Sequence, residues 1–330
     1  MSRSRLLECL GGEWPAPAGL LELQVEAVET LPWGSRERLS YWTDEPRERV
    51  PAFLLLPAGA SPDNPVPAVV ICHQHNGQWH IGKSEPAGLT GDPMHHTGVA
   101  LAQQGFAVLC ADALGFEERE RPAGTSGSTD EPLKGGNLER WEFLRYVVQG
   151  KSLAWKNIVD VKRSVDLLCA RPEIAADKLG VYGHSMGSTH AWMAAPWEPR
   201  FVCAVGNCCL PTYAAIERAR LIHCFPNFVP GWGRDGSDTP DIAALIAPRP
   251  LHLNFGDLDD GSPIEEVRQG IDLIARVYAS HGGGGGASIS SGFSAYIEEG
   301  SGHVLSPQMW QRTLEFFQRH LTGTTESARV

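Results

Sequence analysis

Residues 183–187 read GHSMG, and the serine at their centre, Ser185, has the setting of a nucleophile. A short apolar run, residues 178–182, precedes the motif, and a stretch compatible with a helix follows it as far as Pro196. A strand, a sharp turn and a helix around G-x-S-x-G form a nucleophile elbow, which exposes the serine hydroxyl at the turn. The glycines let the strand and the helix approach closely. The motif therefore predicts that Ser185 attacks an electrophilic carbon.

A serine hydroxyl needs a base to take its proton, and the base needs an acid to orient it. In this arrangement the order along the chain is serine, acid, histidine. Three aspartates follow the apolar run at 251–255, namely Asp257, Asp259 and Asp260. Asp259 is the predicted acid, with Asp260 as the alternative. His303 follows the last strand-like run of the chain and is the predicted base.

The tetrahedral intermediate of such an attack needs two hydrogen-bond donors for its oxyanion. The first predicted donor is the backbone N–H of Met186, the residue after the nucleophile. The second is expected from the loop at 73–80, which follows an earlier strand-like run. The backbone N–H of His75 or of Gln74 is the candidate in that loop.

The same loop supports a competing hypothesis, in which its histidines bind a metal ion. His73, His75 and His80 are spaced H-x-H-x4-H, and a His-His pair follows at 95–96. The carboxylate that completes the usual metallohydrolase pattern is missing nearby, so the sequence favours a hydrolase with no metal and no cofactor. A non-catalytic binding protein on the same scaffold is a third hypothesis, although side chains at all three catalytic positions count against it.

Continuous apolar strands alternate with helices from residue 66 onwards, which predicts an α/β fold with a mostly parallel central sheet covered by helices on both faces. The predicted strands are 68–72, 107–111, 179–182, 202–207, 251–255 and 294–298. The predicted helices are about 94–104, 155–170, 186–195, 264–280 and 306–320. Residues 1–65 form a β-rich lead-in with alternating polar and apolar residues, which predicts antiparallel strands in the same domain.

Residues 66–322 are expected to form the catalytic core, and residues 323–330 a polar tail. Two stretches without a clear helix or strand pattern, 113–150 and 210–245, interrupt the core and are candidate cap insertions. The glycine run at 282–286 is predicted to be a loop. Tryptophans in or near the loops are candidate substrate-binding residues that would stack on a ring: Trp79, Trp141 and Trp232.

The composition excludes several classes of partner. A formal net charge of −11 argues against nucleic-acid and anionic-membrane binding, which need clustered lysine and arginine. No window approaches the length of a membrane span, and the expectation is a cytoplasmic protein. The eight cysteines lack disulfide-like or zinc-like spacing, so reduced, buried thiols are expected. An oligomer is left open.

These motifs together resemble the α/β-hydrolase superfamily, nearest its dienelactone hydrolase-like and acetyl xylan esterase-like branch. The resemblance covers about residues 50 to 320. It rests on HQHNGQ (73–78), GKSEPAGLTG (82–91), LCADALGFEER (109–119), RPEIAADKLGVYGHSMGS (171–188), DIAALIAPRPLHLNFGDLDDGSP (241–263) and EEGSGH (298–303). In that family the acid lies four residues before the proline of its loop, which implies Asp259.

The resemblance implies hydrolysis of a small-molecule carboxylic ester with a short acyl group such as acetyl, and it suggests an acylated carbohydrate as one candidate substrate. The chain departs from the family pattern in two ways. Ser188 stands where many members have a further glycine after the elbow, and the nucleophile is serine where some dienelactone hydrolases have cysteine. Serine favours ester hydrolysis, and lactone hydrolysis on the same triad is the alternative.

Overall fold

The computed structural model describes residues 3–16, 19–44, 47–120, 133–281 and 292–323. The glycine run at 282–286, the middle of the first predicted insertion and all but the first residue of the predicted tail lie outside these ranges. Within the described ranges, no helix has both the length and the apolar character needed to cross a lipid bilayer.

The described residues contain a sheet of nine strands in the order β1-β2-β3-β5-β4-β6-β7-β8-β9. The strands are β1 (Gln24–Leu31), β2 (Gly34–Thr43), β3 (Glu48–Pro57), β4 (Val66–Cys72), β5 (Ala107–Ala111), β6 (Ile174–His184), β7 (Phe201–Asn207), β8 (Leu251–Gly256) and β9 (Phe293–Glu298). All six strands predicted for the core are present, and each overlaps its predicted range.

Strands β4 to β9 pair in parallel, whereas β1, β2 and β3 are antiparallel to one another and β3 is antiparallel to β5. The core strands are apolar because both faces of the sheet are covered. In β4, for example, Val70 belongs to one hydrophobic cluster, and its neighbours Val69 and Ile71 belong to another. Parallel strands end at one edge of a sheet, so the loops after β4, β6, β8 and β9 meet there.

Nine α-helices are described. They are α1 (Arg3–Leu10), α2 (Thr97–Gln103), α3 (Gly135–Val148), α4 (Leu153–Cys169), α5 (Met186–Ala194), α6 (Tyr213–Ala219), α7 (Thr239–Ala244), α8 (Ile264–His281) and α9 (Pro307–Phe317). Leu101 of α2 and Phe316 of α9 lie in the cluster on one face of the sheet, and Ala191 of α5 and Ile274 of α8 lie in the cluster on the other. The fold predicted from the sequence is therefore correct in its layers.

Four helices fall outside the predictions. Helix α1 has eight residues, of which only Leu6 and Leu10 are buried, so it carries too little periodicity to be recognised beside the β-rich lead-in. The two insertions also contain regular structure. Helix α3 begins with Gly135 and Gly136 and has no side-chain cap, and α6 and α7 are only seven and six residues long. Such helices form through tertiary packing rather than through propensity.

Candidate active site

Ser185 occupies the sharp turn between β6 and α5, with φ of 57° and ψ of −122°. A positive φ is strained for any residue other than glycine, and such strain is typical of functional positions. The backbone N–H of Ser185 donates to the carbonyl oxygen of Asn207, at the end of β7, with a distance of 2.8 Å. This bond helps to hold the strained turn against the neighbouring strand.

The two glycines of the motif are required by close backbone approach. A Cβ atom on Gly183 would lie 1.9 Å from the carbonyl oxygen of Gly187, and one on Gly187 would lie 2.0 Å from the carbonyl oxygen of Cys72. No side chain fits at either distance. Because neither glycine has a side chain, the start of α5 packs directly against the end of β4. This packing brings the 73–80 loop next to Ser185.

Ser185, His303 and Asp259 are joined by two hydrogen bonds. The Nε2 atom of His303 lies 2.7 Å from the Oγ of Ser185, and its Nδ1 atom lies 2.8 Å from the Oδ2 of Asp259. The ionised carboxylate of Asp259 accepts from Nδ1–H, so Nε2 is the ring nitrogen that is free to take the serine proton. Three residues that follow three different strands thus have the arrangement that a nucleophile, a base and an acid require.

The three aspartates after β8 have different positions. The carboxylate of Asp259 is buried, and its Oδ1 accepts the backbone N–H of Gly261 at 2.8 Å. The carboxylate of Asp257 instead accepts the backbone N–H of Ser301 at 3.3 Å, which ties the acid loop to the loop that carries the histidine. Asp260 is exposed and lines the cavity in front of Ser185. Only Asp259 contacts the imidazole.

The predicted oxyanion donors belong to the start of α5 and to the loop after β4, and these two segments contact each other. Met186 is the first residue of α5, so its N–H is among the helix N-terminal groups that have no acceptor within the helix. The loop after β4 contacts the elbow, since a Cβ on Gly187 would lie 2.8 Å from the carbonyl oxygen of His73. Gln74 follows directly, and its side chain is tied back by a 2.8 Å bond from Nε2 to Glu85. The backbone N–H of Gln74 or of His75 remains the predicted second donor.

A cavity of about 610 Å³ opens in front of Ser185. Its walls include Ser185, Asp259 and His303, the loop with His75 and Trp79, and residues from both predicted insertions. The first insertion contributes Gly136, Glu139 and Arg140, and the second contributes residues 221–225. Phe143 of α3 stacks on Phe225 with ring centroids 4.9 Å apart, so the described parts of the two insertions pack against each other beside the site.

The three candidate tryptophans differ in position. Trp79 lines the cavity. The prediction that Trp232 contacts the substrate is wrong, because the side chain is fully buried in the main hydrophobic cluster. Its Nε1 donates to the carbonyl oxygen of Asp238 at 2.9 Å. Trp141 is also wrong, since it is 39% exposed on α3 and is not part of the cavity wall. Both belong to insertions whose helices were not predicted, so the orientation of their side chains could not be inferred.

Comparisons with known proteins identify the fold. Residues 67–218 match the family model for the alpha/beta hydrolase fold. The chain has the α/β-hydrolase fold. It is 27% identical over 280 residues to YtaP of Bacillus subtilis (strain 168), which carries the name of a hydrolase, and the match covers 83% of this chain and 84% of YtaP.

Among solved structures, the hydrolase fold is shared with an acetyl xylan esterase from Paenibacillus sp. R4, at a TM-score of 0.62 and 17% identity. That match covers 97% of this chain and 100% of the other. A glucuronoyl esterase from Solibacter usitatus matches at a TM-score of 0.62 and 18% identity, covering 96% of this chain and 90% of the other. The fold predicted from the sequence is confirmed.

The histidine loop does not form the ligand set of the competing metal hypothesis. Among the described residues, His73 donates from Nδ1 to the carbonyl oxygen of Gln74 at 2.8 Å and accepts at Nε2 from the N–H of Ala113 at 3.0 Å. The ring nitrogens of His75 are likewise engaged with Gly77 and Glu139. A metal ion bound by His73 and His75 would have to break these bonds. His80 is exposed and takes no part in them. His75 instead lines the cavity in front of Ser185.

Four buried histidines and the half-buried His223 of the cavity wall are held neutral. Burial lowers the pKa of each of them, to about 4 for His73, His223 and His252, to about 3 for His190, and well below the usual range for His184. Their ring nitrogens are occupied by uncharged partners, as in the pair of His184 Nδ1 with the amide of Asn207 at 2.6 Å. Protonation would remove such an acceptor and place a charge in the interior.

The free energy of unfolding is therefore expected to fall as the pH drops from about 6.5 towards 4. In this window the unfolded chain binds protons at these histidines and the folded chain does not, which costs about 1.4 kcal/mol per histidine and pH unit. Asp112 acts in the opposite direction, because burial raises its pKa to about 7, and it offsets about one histidine. Urea unfolding at pH 7 and pH 5.5 measures the loss, which should reach several kcal/mol. The same urea midpoint at both pH values would contradict the conclusion that these histidines are neutral in the folded protein.

The sequence named both insertions as candidate caps, but it did not show which of their side chains line the cavity. Glu139 and Arg140 lie on α3, and His223 lies in the loop after α6. His223 donates from Nε2 to the carbonyl oxygen of Gly261 at 3.2 Å, so it fastens the second insertion to the acid loop. The available signal was the placement of both insertions after strand ends, which indicates proximity to the site without showing which side chains face it.

Proposed function

We propose that this protein hydrolyses a carboxylic ester by way of an acyl-enzyme formed on Ser185. The observation that carries the proposal is the continuous hydrogen-bonded path from Ser185 Oγ through His303 to the buried Asp259, at the wall of an open cavity. A serine on a strained turn, a base within hydrogen-bond reach and a carboxylate that orients the base are what acyl transfer requires.

In the first half of the reaction, Oγ of Ser185 attacks the ester carbonyl carbon while Nε2 of His303 takes the hydroxyl proton. The N–H of Met186 and that of Gln74 or His75 stabilise the oxyanion that forms. The bond to the leaving alcohol oxygen then breaks, and His303 returns the proton to that oxygen. In the second half, His303 activates a water molecule, which releases the carboxylic acid and restores Ser185.

The proposed acyl group is short, with acetyl as the first candidate and an acylated carbohydrate as the first candidate substrate. The names of the structural neighbours, an acetyl xylan esterase and a glucuronoyl esterase, support esters of this kind. The cavity supports it as well, because at about 610 Å³ it has room for a sugar-sized alcohol in front of Ser185.

The proposal predicts a preference for short acyl chains. We expect 4-nitrophenyl acetate to be hydrolysed with a kcat/KM at least about 10-fold above that of the octanoate ester, and chelators to have no effect. Stopped-assay kinetics over the series acetate, butyrate and octanoate measure the preference. Loss of activity in chelator would favour the metal-dependent alternative, and hydrolysis of lactones but not of open-chain esters would favour the lactone alternative.

A further inference from the structure

Glu139 is a buried carboxylate in the wall of the active-site cavity, outside the catalytic relay. It lies on α3, within the first insertion, and only 4% of its surface is exposed. Together with Ser185 it lines the same cavity. An ionised carboxylate in such a position needs hydrogen-bond donors for both oxygens, because burial without them is costly.

One oxygen of Glu139 is fully engaged. Its Oε2 accepts from Nε2 of His75 at 2.9 Å and from Nε1 of Trp79 at 2.9 Å. The direction at His75 is fixed, because its Nδ1 accepts the backbone N–H of Gly77 at 2.8 Å and Nε2 therefore carries the proton. The other oxygen, Oε1, receives no hydrogen bond from any described residue.

Trp79 stands beside this carboxylate with its ring held in place. A Cβ on Gly136 would lie 3.0 Å from Cζ2 of the indole, so the start of α3 packs directly on the ring. The imidazole of His75 meets the indole at 75°, with ring centroids 4.9 Å apart. The cavity wall thus places an immobilised indole next to an acceptor oxygen. This pairing suits a compact group that has an apolar C–H face and hydroxyl donors.

We propose that Oε1 of Glu139 accepts a hydrogen bond from a hydroxyl group of the ester substrate, which makes Glu139 a specificity-determining residue for hydroxyl-bearing esters. The inference rests on the proposed ester hydrolysis and names the substrate feature that the site selects. A hydroxyl donor fits better than an ammonium group. Arg140, the next residue, lines the same cavity without an ion-pair partner among the described residues, and its charge disfavours a second cation.

Glu139→Gln is the sharpest variant for a test. The amide oxygen of glutamine can keep accepting from His75 and Trp79, whereas the position of Oε1 becomes an NH₂ donor without charge. The substrates are a mono-O-acetylated methyl xylopyranoside and its analogues that lack each remaining ring hydroxyl in turn. In the wild type, loss of one particular hydroxyl should lower kcat/KM by about 10- to 100-fold, the range of a charge-assisted hydrogen bond.

In Glu139→Gln the ratio of kcat/KM between the parent ester and the analogue that lacks this hydroxyl should fall to within about 3-fold. Hydrolysis of 4-nitrophenyl acetate, which offers no hydroxyl, should stay within about 3-fold of wild type. Glu265→Gln, at an exposed carboxylate in the first turn of α8 and outside the cavity wall, should keep the full wild-type ratio.

Three results would overturn the inference. The first is a wild-type ratio of kcat/KM near 1 for every deoxy analogue, and the second is a ratio that Glu139→Gln leaves unchanged. The third is an equal loss of kcat/KM on 4-nitrophenyl acetate and on the sugar esters in Glu139→Gln, which would mean that Glu139 only positions the 75–79 loop. A preference for ammonium-bearing esters that disappears in Glu139→Gln would equally contradict the hydroxyl assignment. A wild-type protein that hydrolyses none of these esters would instead contradict the proposed function, so the two failures are distinguishable.

Discussion

Replacing Ser185 by alanine should lower kcat/KM for ester hydrolysis by at least about 10⁴-fold, because no other group in the relay can form the acyl-enzyme. The change removes only the Oγ atom, which lies 2.7 Å from Nε2 of His303. Alanine keeps the strained turn without relieving or worsening it, so the variant should fold. Steady-state kinetics with 4-nitrophenyl acetate, together with the thermal unfolding midpoint, measure both expectations.

Ser188 offers a matched control one turn further along α5. Its Oγ donates to the carbonyl oxygen of Cys209 at 3.3 Å, and that oxygen also accepts from Nε1 of Trp192 at 3.0 Å. Ser188→Ala therefore leaves the carbonyl with a donor and should cost about 1 kcal/mol of stability, with activity within about 3-fold of wild type. Comparable losses of activity in both serine variants would mean that the effect of Ser185→Ala is structural.

Asp259→Asn is the second large effect, with an expected loss in kcat of about 10³- to 10⁴-fold. Oδ2 of Asp259 accepts from Nδ1 of His303 at 2.8 Å. An asparagine can present its NH₂ group to that nitrogen, which favours the tautomer with the proton on Nε2 and removes the base from Ser185.

Asp260→Asn is the matched variant, since Asp260 is adjacent and exposed and does not contact the imidazole. We expect its kcat to stay within about 3-fold of wild type. Kinetics of the two variants, measured side by side at several pH values, separate the two aspartates. A large loss in Asp260→Asn with a small one in Asp259→Asn would require a different acid and a rearranged loop in the active protein.

The positions of the candidate catalytic residues could be predicted because they follow from local rules. Apolar runs fixed the core strands, and parallel strands end at one edge, so residues just after β6, β8 and β9 had to meet. The choice among the three aspartates was harder. Loop composition does not show that Asp257 binds the backbone of Ser301 while Asp259 reaches His303. The greater distance of Asp259 from the end of β8 favoured it over Asp257, and the family spacing supported that choice. The structure supplies its physical reason.

The cavity wall could not be predicted in the same way. Helices α3 and α6 have weak sequence signals and are stabilised by contacts between distant segments, such as the stacking of Phe143 on Phe225. The orientation of each tryptophan depends on those contacts, which place Trp79 in the cavity and bury Trp232 in the core. Substrate selection by Glu139 depends on them too. Predicting these features requires the arrangement of the insertions as well as their location in the chain.

Covalent labelling with a fluorophosphonate probe tests the central claim most directly, because the probe reacts with a serine only when a base activates its hydroxyl. The folded wild-type protein should gain the mass of one phosphonyl group, located by peptide mapping on Ser185. Labelling should be absent in Ser185→Ala and strongly reduced in His303→Ala. No adduct on folded wild-type protein, or an adduct on another residue that persists in Ser185→Ala, would contradict the assignment of Ser185 as the nucleophile.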